Sequence, residues 1–496
     1  MDKLKRTLAL TAALAMTATA FVGCGGNDSS STSESKAESS AEDSSEADAD
    51  SAEDSTAEEE SSVESAAGYT NVDVPALGEP DGSLKDGGDK LTILCWNDDD
   101  LKYMYDIVAD ATGMDKSMIN YKNVGSNGTD ANEQYAQVFL SGDDVDLYFC
   151  DADWNMAYQN NDEYSAPLSA VGISEDMYAN AYDYTVAMGK DKNGVLKGAS
   201  WQAAAGGFAY RADLAEQYLG VTTPAEMQEK VGDWAKFTEA AKTISDATSG
   251  TVALGDTLGG MWQVYACGRT TPWVKDNKLQ IDDFCKEFAD TAKELWDMGG
   301  ITKNDQWSNE WTASGVQGST MGYFVSTWGF GGFFLDAAGG VGGDQYGKWN
   351  VCQGPQAFYW GGTWLVVNAD TDNGNECRDF ILSAAGDDDQ MKAYAAAKPE
   401  FVNNKAVMDE IIGANTVFNE DISGNFKDGQ NYFAELAGNV EKINFNGLIT
   451  EHDATIKTDF VTAVKEEYLM GGKSWDETVD RFKDDVAEDI MTIEVD

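Results

Sequence analysis

The stretch from Tyr69 to Asp496 is predicted to adopt an α/β fold, and three observations predict it. Lys90 to Trp96 (KLTILCW) is a short apolar run of strand composition, an amphipathic helical pattern follows it, and a second apolar run comes at Val145 to Cys150. Strand, helix, strand implies parallel pairing, because a crossover helix returns the chain to the same end of the sheet and sets the carboxyl ends of both strands on one rim. The stretch is also long enough to form two lobes or domains, each with a sizeable core.

Along the chain, Lys3, Lys5 and Arg6 precede an apolar run from Thr7 to Val22, the layout of a secretory signal peptide over residues 1–23. The run is too short and too rich in alanine to span a membrane. Phe21-Val22-Gly23-Cys24 resembles a bacterial lipobox, with Phe21 in place of the usual Leu; that resemblance implies lipidation of Cys24. Residues 24–68 then read as a disordered tether, since Gly25 to Gly68 has no aromatic residue and Val63 as its only large aliphatic. Fourteen acidic residues against Lys36 keep that segment extended by self-repulsion.

After the first strand, Asp98 to Asp100 can cap a helix that carries Leu101, Met104, Tyr105 and Val108 on one face and ends at Gly113. A second helix is predicted to begin at Asp130, with Glu133 completing a capping box, to bury Tyr135, Val138 and Phe139, and to stop near Gly142. Thr223-Pro224-Ala225-Glu226 sets another helix start, and Asp282 to Met298 is a long amphipathic helix closed by Gly299-Gly300. Thr455 to Leu469 is predicted to bury Ile456, Phe460, Val464 and Tyr468. Ser474 with Glu477 caps a last helix presenting Val479, Phe482, Val486 and Ile490. The glycine-rich patches Gly329 to Gly343 and Gly361-Gly362 read as loops.

The formal net charge of −53 argues against nucleic acid and anionic membrane surfaces as partners, because nothing offsets phosphate repulsion. Beyond Cys24, the cysteines at 95, 150, 267, 285, 352 and 377 have no C-x-x-C spacing, so neither a zinc site nor a redox dithiol is indicated. They read mainly as buried thiols, with disulfide pairing left open. There is no Walker-type loop, no Gly-x-Ser-x-Gly and no H-E-x-x-H, and His452 is the sole histidine. Neither a cofactor nor a metal is expected: the acids at Asp98 to Asp100 and Asp151 to Asp153 lack the spacing of a known calcium loop.

An ordered set of blocks runs from about Lys90 to the C-terminus: KLTILCW; SGDDVDLYFCDADW; LKGASWQAAAGGFAYRADLAEQYLGVTTPAEM; MGYFVSTWGF; WNVCQGP followed by GGTWLVVNADTDN; and a final helix after MGGKSWDET. In order and spacing these blocks resemble the maltose-binding-protein-like extracellular solute-binding proteins of bacterial carbohydrate ABC importers. That resemblance implies a periplasmic-binding-protein-like fold of two α/β lobes with a hinge and a ligand cleft between them. It assigns residues 69–200 plus 346–405 to the first lobe and 206–345 plus 406–496 to the second. It further implies a carbohydrate ligand of oligosaccharide size, importer membrane subunits as partners, and a monomer lipid-anchored at the extracellular face of the cell membrane.

Sugar rings offer apolar faces and a girdle of hydroxyls, so sugar sites need flat aromatics beside carboxylates and amides. The chain has 14 Trp and 20 Tyr, and several of the Trp fall in predicted loops beside acidic or amide groups, where the resembling family builds its cleft. Trp154, Trp201, Trp328 and Trp364 are the first candidates for stacking, followed by Trp96, Trp262, Trp273 and Trp360. Asn97, Asp98, Asp151, Asp153 and Gln202 are the candidates for hydrogen bonding, with Gly361 and Gly362 allowing close backbone approach. Trp234, Trp296 and Trp475 sit on predicted helices and are assigned to packing, while Arg211 suits an ion pair or a ligand contact equally. The same carboxylates and aromatics would also suit a cationic solute such as a polyamine. A glycoside-acting enzyme using Asp151 and Asp153 is the rival from another class.

Overall fold

The computed structural model describes residues 78–97, 101–125, 131–443 and 447–495. The leader, Cys24, the tether, Asp98 and the cap expected at Asp130 lie outside the described residues. The described residues form one compact unit. The described strands are β1 (Leu91–Cys95), β2 (Ile119–Asn123), β3 (Leu147–Asp151), β4 (Gly198–Ser200), β5 (Gly206–Arg211), β6 (Val274–Lys275), β7 (Lys278–Leu279), β8 (Gly322–Ser326), β9 (Trp349–Cys352) and β10 (Thr363–Val367). They form a five-stranded sheet in the order β2-β1-β3-β10-β4, a three-stranded sheet in the order β8-β5-β9, and a small β6-β7 ribbon.

In the first sheet β1 lies parallel to both β2 and β3, as strand, helix, strand required. All five residues of β1 are buried, which is why it reads as an unbroken apolar run instead of an alternating one. The strand β2 was not foreseen. Its sequence, INYKN, buries only Ile119 because it forms the sheet's edge, so it lacks the apolar signature of its neighbours. β3 begins at Leu147, two residues later than expected. The Val145 carbonyl accepts from Asn368 Nδ2 at 2.6 Å, and the Asp146 carboxylate accepts from Thr92 N and Thr371 Oγ1, each at 2.7 Å, so these residues brace the sheet from the side.

The second sheet is antiparallel around β5, with Phe208 opposite Phe324 on β8 and Cys352 on β9. The expected start of the first lobe's second segment at residue 346 therefore differs from the pairing found. β9 belongs to the sheet of β5 and β8, and the chain returns to the first sheet only with β10. Phe208 and Phe324 enter a core that also takes Phe237, Met261, Phe288 and Phe460.

Three stretches run side by side between the sheets. Ala203 N donates to Phe401 O at 2.9 Å, Asn403 N to Trp201 O at 2.8 Å, Gly206 N to Phe358 O at 3.0 Å and Trp360 N to Ala204 O at 3.1 Å. Asn403 ties this junction from its side chain, donating to Ser200 O at 2.8 Å and accepting from Tyr182 N at 3.0 Å. At Gly206 an added Cβ would lie 2.2 Å from the Phe358 ring, so only glycine allows the segments to approach this closely.

The caps at Thr223 and Ser474 and the stop at Gly299, all on described residues, are carried through, and one helix departs from expectation. Thr223 with Glu226 and Ser474 with Glu477 both form complete capping boxes, and Gly299 closes Asp283–Met298 in the left-handed conformation at φ 74°. The departure lies after Asp453–Ala463, where the chain widens into a π-helix over Val464–Met470. Ile456, Phe460 and Val464 are buried at the expected spacing, but the wider turn then places Leu469 inside in place of Tyr468. Val138, Phe139 and Val479, also expected inside, are half-buried.

Candidate functional site

Parallel pairing of β1 and β3 puts Asn97 and the segment Asp151 to Trp154 on one rim, where open α/β sheets hold their ligands. Asp153 N donates to Asp151 Oδ1 at 2.8 Å, and Ala152 N donates to Gly362 O at 3.1 Å, so the crossing from β9 to β10 is bound directly to this rim. Gly361 marks the centre. Its φ is +66°, and a Cβ there would lie 3.4 Å from Trp328 Nε1 and 3.6 Å from Asp151 Oδ2. Trp328, in the turn after β8, donates its indole N–H to Trp360 O at 2.6 Å. Trp307 completes an aromatic wall, with its ring centroid 6.1 Å from that of Trp328 and 5.6 Å from that of Trp360. Trp307 is 48% exposed and holds a positive φ of 66°, a conformation that bulky residues rarely adopt.

Opposite the rim stands the helix Asp453–Ala463 of the second core. Lys457 Nζ lies 2.5 Å from Asp153 Oδ2, and Arg269 Nη1 lies 3.8 Å from Asp453 Oδ2. The Arg269 guanidinium also sits 4.0 Å over the Trp273 ring. These four charged groups line one cavity with Gln263 and Tyr359. Burial pushes the Asp151 carboxyl up to about 7, and the adjacent Asp153 adds to the effect. Asp453 is raised to about 6 by burial against the pull of Arg269. Burial lowers Lys457 but is outweighed by Asp153, which holds it above the ordinary lysine range. The cleft thus combines aromatic surface with alternating donors and acceptors, which can hold a polar, uncharged ring compound by stacking and hydrogen bonding.

No protein-family model matches the chain, and no curated protein matches it in sequence. Among solved structures, one described as an extracellular solute-binding protein family 1 superposes with a TM-score of 0.68 at 17% identity, covering 82% of this chain and 100% of the other. The chain has the two-lobed solute-binding-protein fold. The galacto-N-biose/lacto-N-biose I-binding protein of an ABC transporter from Bifidobacterium longum, in complex with lacto-N-biose, shares it at TM-score 0.63 and 16% identity, over 83% of this chain and 100% of its own. An ABC transporter associated binding protein from B. animalis subsp. lactis, in complex with beta-1,6-galactobiose, matches at TM-score 0.62 and 20% identity, over 81% and 97%.

Within this solute-binding fold, Asp151, Asp153, Trp328, Gly361 and Gly362 come together, and Asn97 is half-buried on the same rim. Asp98 is outside the described residues. Trp154 is only 6% exposed and packs edge-on against Trp96, Tyr135 and Tyr158 behind the rim. Trp201 and Trp364 differ from the expectation of stacking surfaces. Both are fully buried: Trp201 lies edge-on to Phe149 and Tyr394, and Trp364, on β10, donates its N–H to Thr185 O at 3.0 Å. Gln202 is buried at the junction of the lobes, in a bridge to Val402. Trp262 and Trp273 belong to the second core, although both reach the cavity. Arg211 makes an ion pair, with Nη2 2.7 Å from Asp213 Oδ2.

Sequence reasoning missed Trp307, Arg269, Asp453 and Lys457. Trp307 sits in the polar run Asn304 to Asn309, the same context that singled out other loop tryptophans, whereas Lys457 carries no local signal at all. The cysteines at 95, 150, 267, 285, 352 and 377 are free thiols, and all but Cys267 are buried. Among the described residues, carboxylate oxygens of Asp144, Asp146 and Asp372 lie within 4.8 Å of one another. Asp146 is already committed there to Thr92 and Thr371.

Proposed function

We propose that this chain is an exported solute-binding protein, anchored by lipid at Cys24, that captures a carbohydrate of oligosaccharide size and delivers it to the membrane subunits of an ABC importer. The single observation that carries the reading is the aromatic wall of Trp307, Trp328 and Trp360, with Trp328 and the rim carboxylate of Asp151 both set against Gly361 where the two lobes meet. Ring faces stack on the wall, and hydroxyls bridge carboxylates and ammonium. Two neighbours of the same fold are described in complex with disaccharides, which supports the ligand class. The chain works as a monomer at the extracellular face of the membrane.

An enzymatic reading has less support. Glycosidases place their carboxyl groups on opposite sides of the scissile bond, whereas Asp151 and Asp153 stand two residues apart on one rim, with the Asp153 backbone N–H donating to the Asp151 carboxylate. A thermal-shift screen of the purified protein against mono- and oligosaccharides, with putrescine and spermidine included, tests the proposal. A raised melting temperature with one sugar series supports it. A shift with amines alone would replace sugar by a cationic solute, and silence with every sugar would remove the carbohydrate assignment.

A further inference from the structure

The cleft contains a cation of its own. Lys457 is presented by a helix whose Ile456 and Phe460 are buried in the second core, so its backbone has a set position. Its ammonium reaches across to Asp153 on the rim of the first sheet at 2.5 Å, with side-chain exposures of 28% and 45% for the pair. Asp151 and Asp453 are the other charged groups that bear on it. A cationic solute entering the cavity beside Trp262, Trp273 and Tyr359 would seek this same carboxylate oxygen, and ion pairing together with stacking would otherwise suit it well. We propose that Lys457 is a specificity-determining residue, an internal ammonium that fills the cation position beside Asp153 and so restricts the cleft to uncharged polyols. Hydroxyl groups are compatible with the filled position, because each can donate to a carboxylate and accept from the ammonium. A protonated amine has no lone pair with which to accept from Lys457, so it is repelled unless it displaces that ammonium.

The inference rests on the carbohydrate reading for its positive ligand, and one set of titrations separates the two. Wild type, Lys457→Gln, Lys457→Met, Lys457→Arg and the double variant Lys457→Gln/Asp153→Asn are confirmed as folded by circular dichroism. Each is then titrated calorimetrically with spermidine, putrescine and the sugar that gives the largest thermal shift. Wild type and Lys457→Arg are expected to refuse the amines, Lys457→Gln and Lys457→Met to gain at least about tenfold in amine affinity, and the double variant to lose that gain. The last result separates an uncovered carboxylate from lobes that have merely loosened. Amine binding by wild type, or folded Gln and Met variants that take up no amine, would overturn the role of Lys457 and leave sugar capture standing. A gain of amine binding in a protein that ignores every sugar would do the reverse.

Discussion

Two tryptophans of the same composition class sit in opposite surroundings. Trp307 is 48% exposed in the wall of the cleft, while Trp201 is fully buried between Phe149 and Tyr394. Trp307→Ala should therefore weaken sugar binding by about 1–3 kcal/mol, the scale of stacking on a flat ligand, and leave the urea midpoint nearly unchanged. Trp201→Ala should instead cost about 3–5 kcal/mol of stability, as expected for removing a large core side chain. Equal effects of both variants on stability would place Trp307 in the core as well. Sequence reasoning nominated Trp201 and passed over Trp307, because local composition does not tell an enclosed tryptophan from an exposed one. Trp201 lies in a stretch of polar and small residues that looks like a loop, yet it is enclosed because three segments meet there.

Among the elements, caps were the most legible features, since each depends on residues three apart. Ser474 accepts from Glu477 N, and Ser474→Ala should cost about 1 kcal/mol in a denaturation experiment. What could not be read was set by distant partners: the edge position of β2, the pairing of β9 with β5, and the π-turn that follows Ala463. Helix-to-helix contact near the C-terminus makes a further prediction. Burial, with Asp489 and Asp485 close by, raises the Asp459 carboxyl to about 7. The folded chain therefore keeps a proton that the unfolded chain releases at its ordinary value of 3.8, and stability from this group is lost as pH rises from about 4 through about 7. Asp459→Asn should accordingly be more stable than wild type at pH 8 and no more stable at pH 4, as urea denaturation at the two values would show. The same difference at both would mean that the carboxyl does not titrate in this window.

For the molecule as a whole, the α/β class and the rim at the ends of β1 and β3 followed from the order of apolar runs and helical patterns. The second wall of the cleft did not, because Arg269 and the helix carrying Asp453 and Lys457 reach it from segments far apart in the chain. Lobes joined by three hydrogen-bonded segments can close on a ligand while keeping each core intact. The central claim is that an uncharged sugar binds where those lobes meet, against Trp307 and Trp328. The most direct test is a calorimetric titration of wild type and Trp328→Ala with the sugar selected by thermal shift. The account predicts saturation of wild type by one sugar molecule per chain and binding weaker by about tenfold or more in the variant. Identical affinity in the two proteins would contradict it.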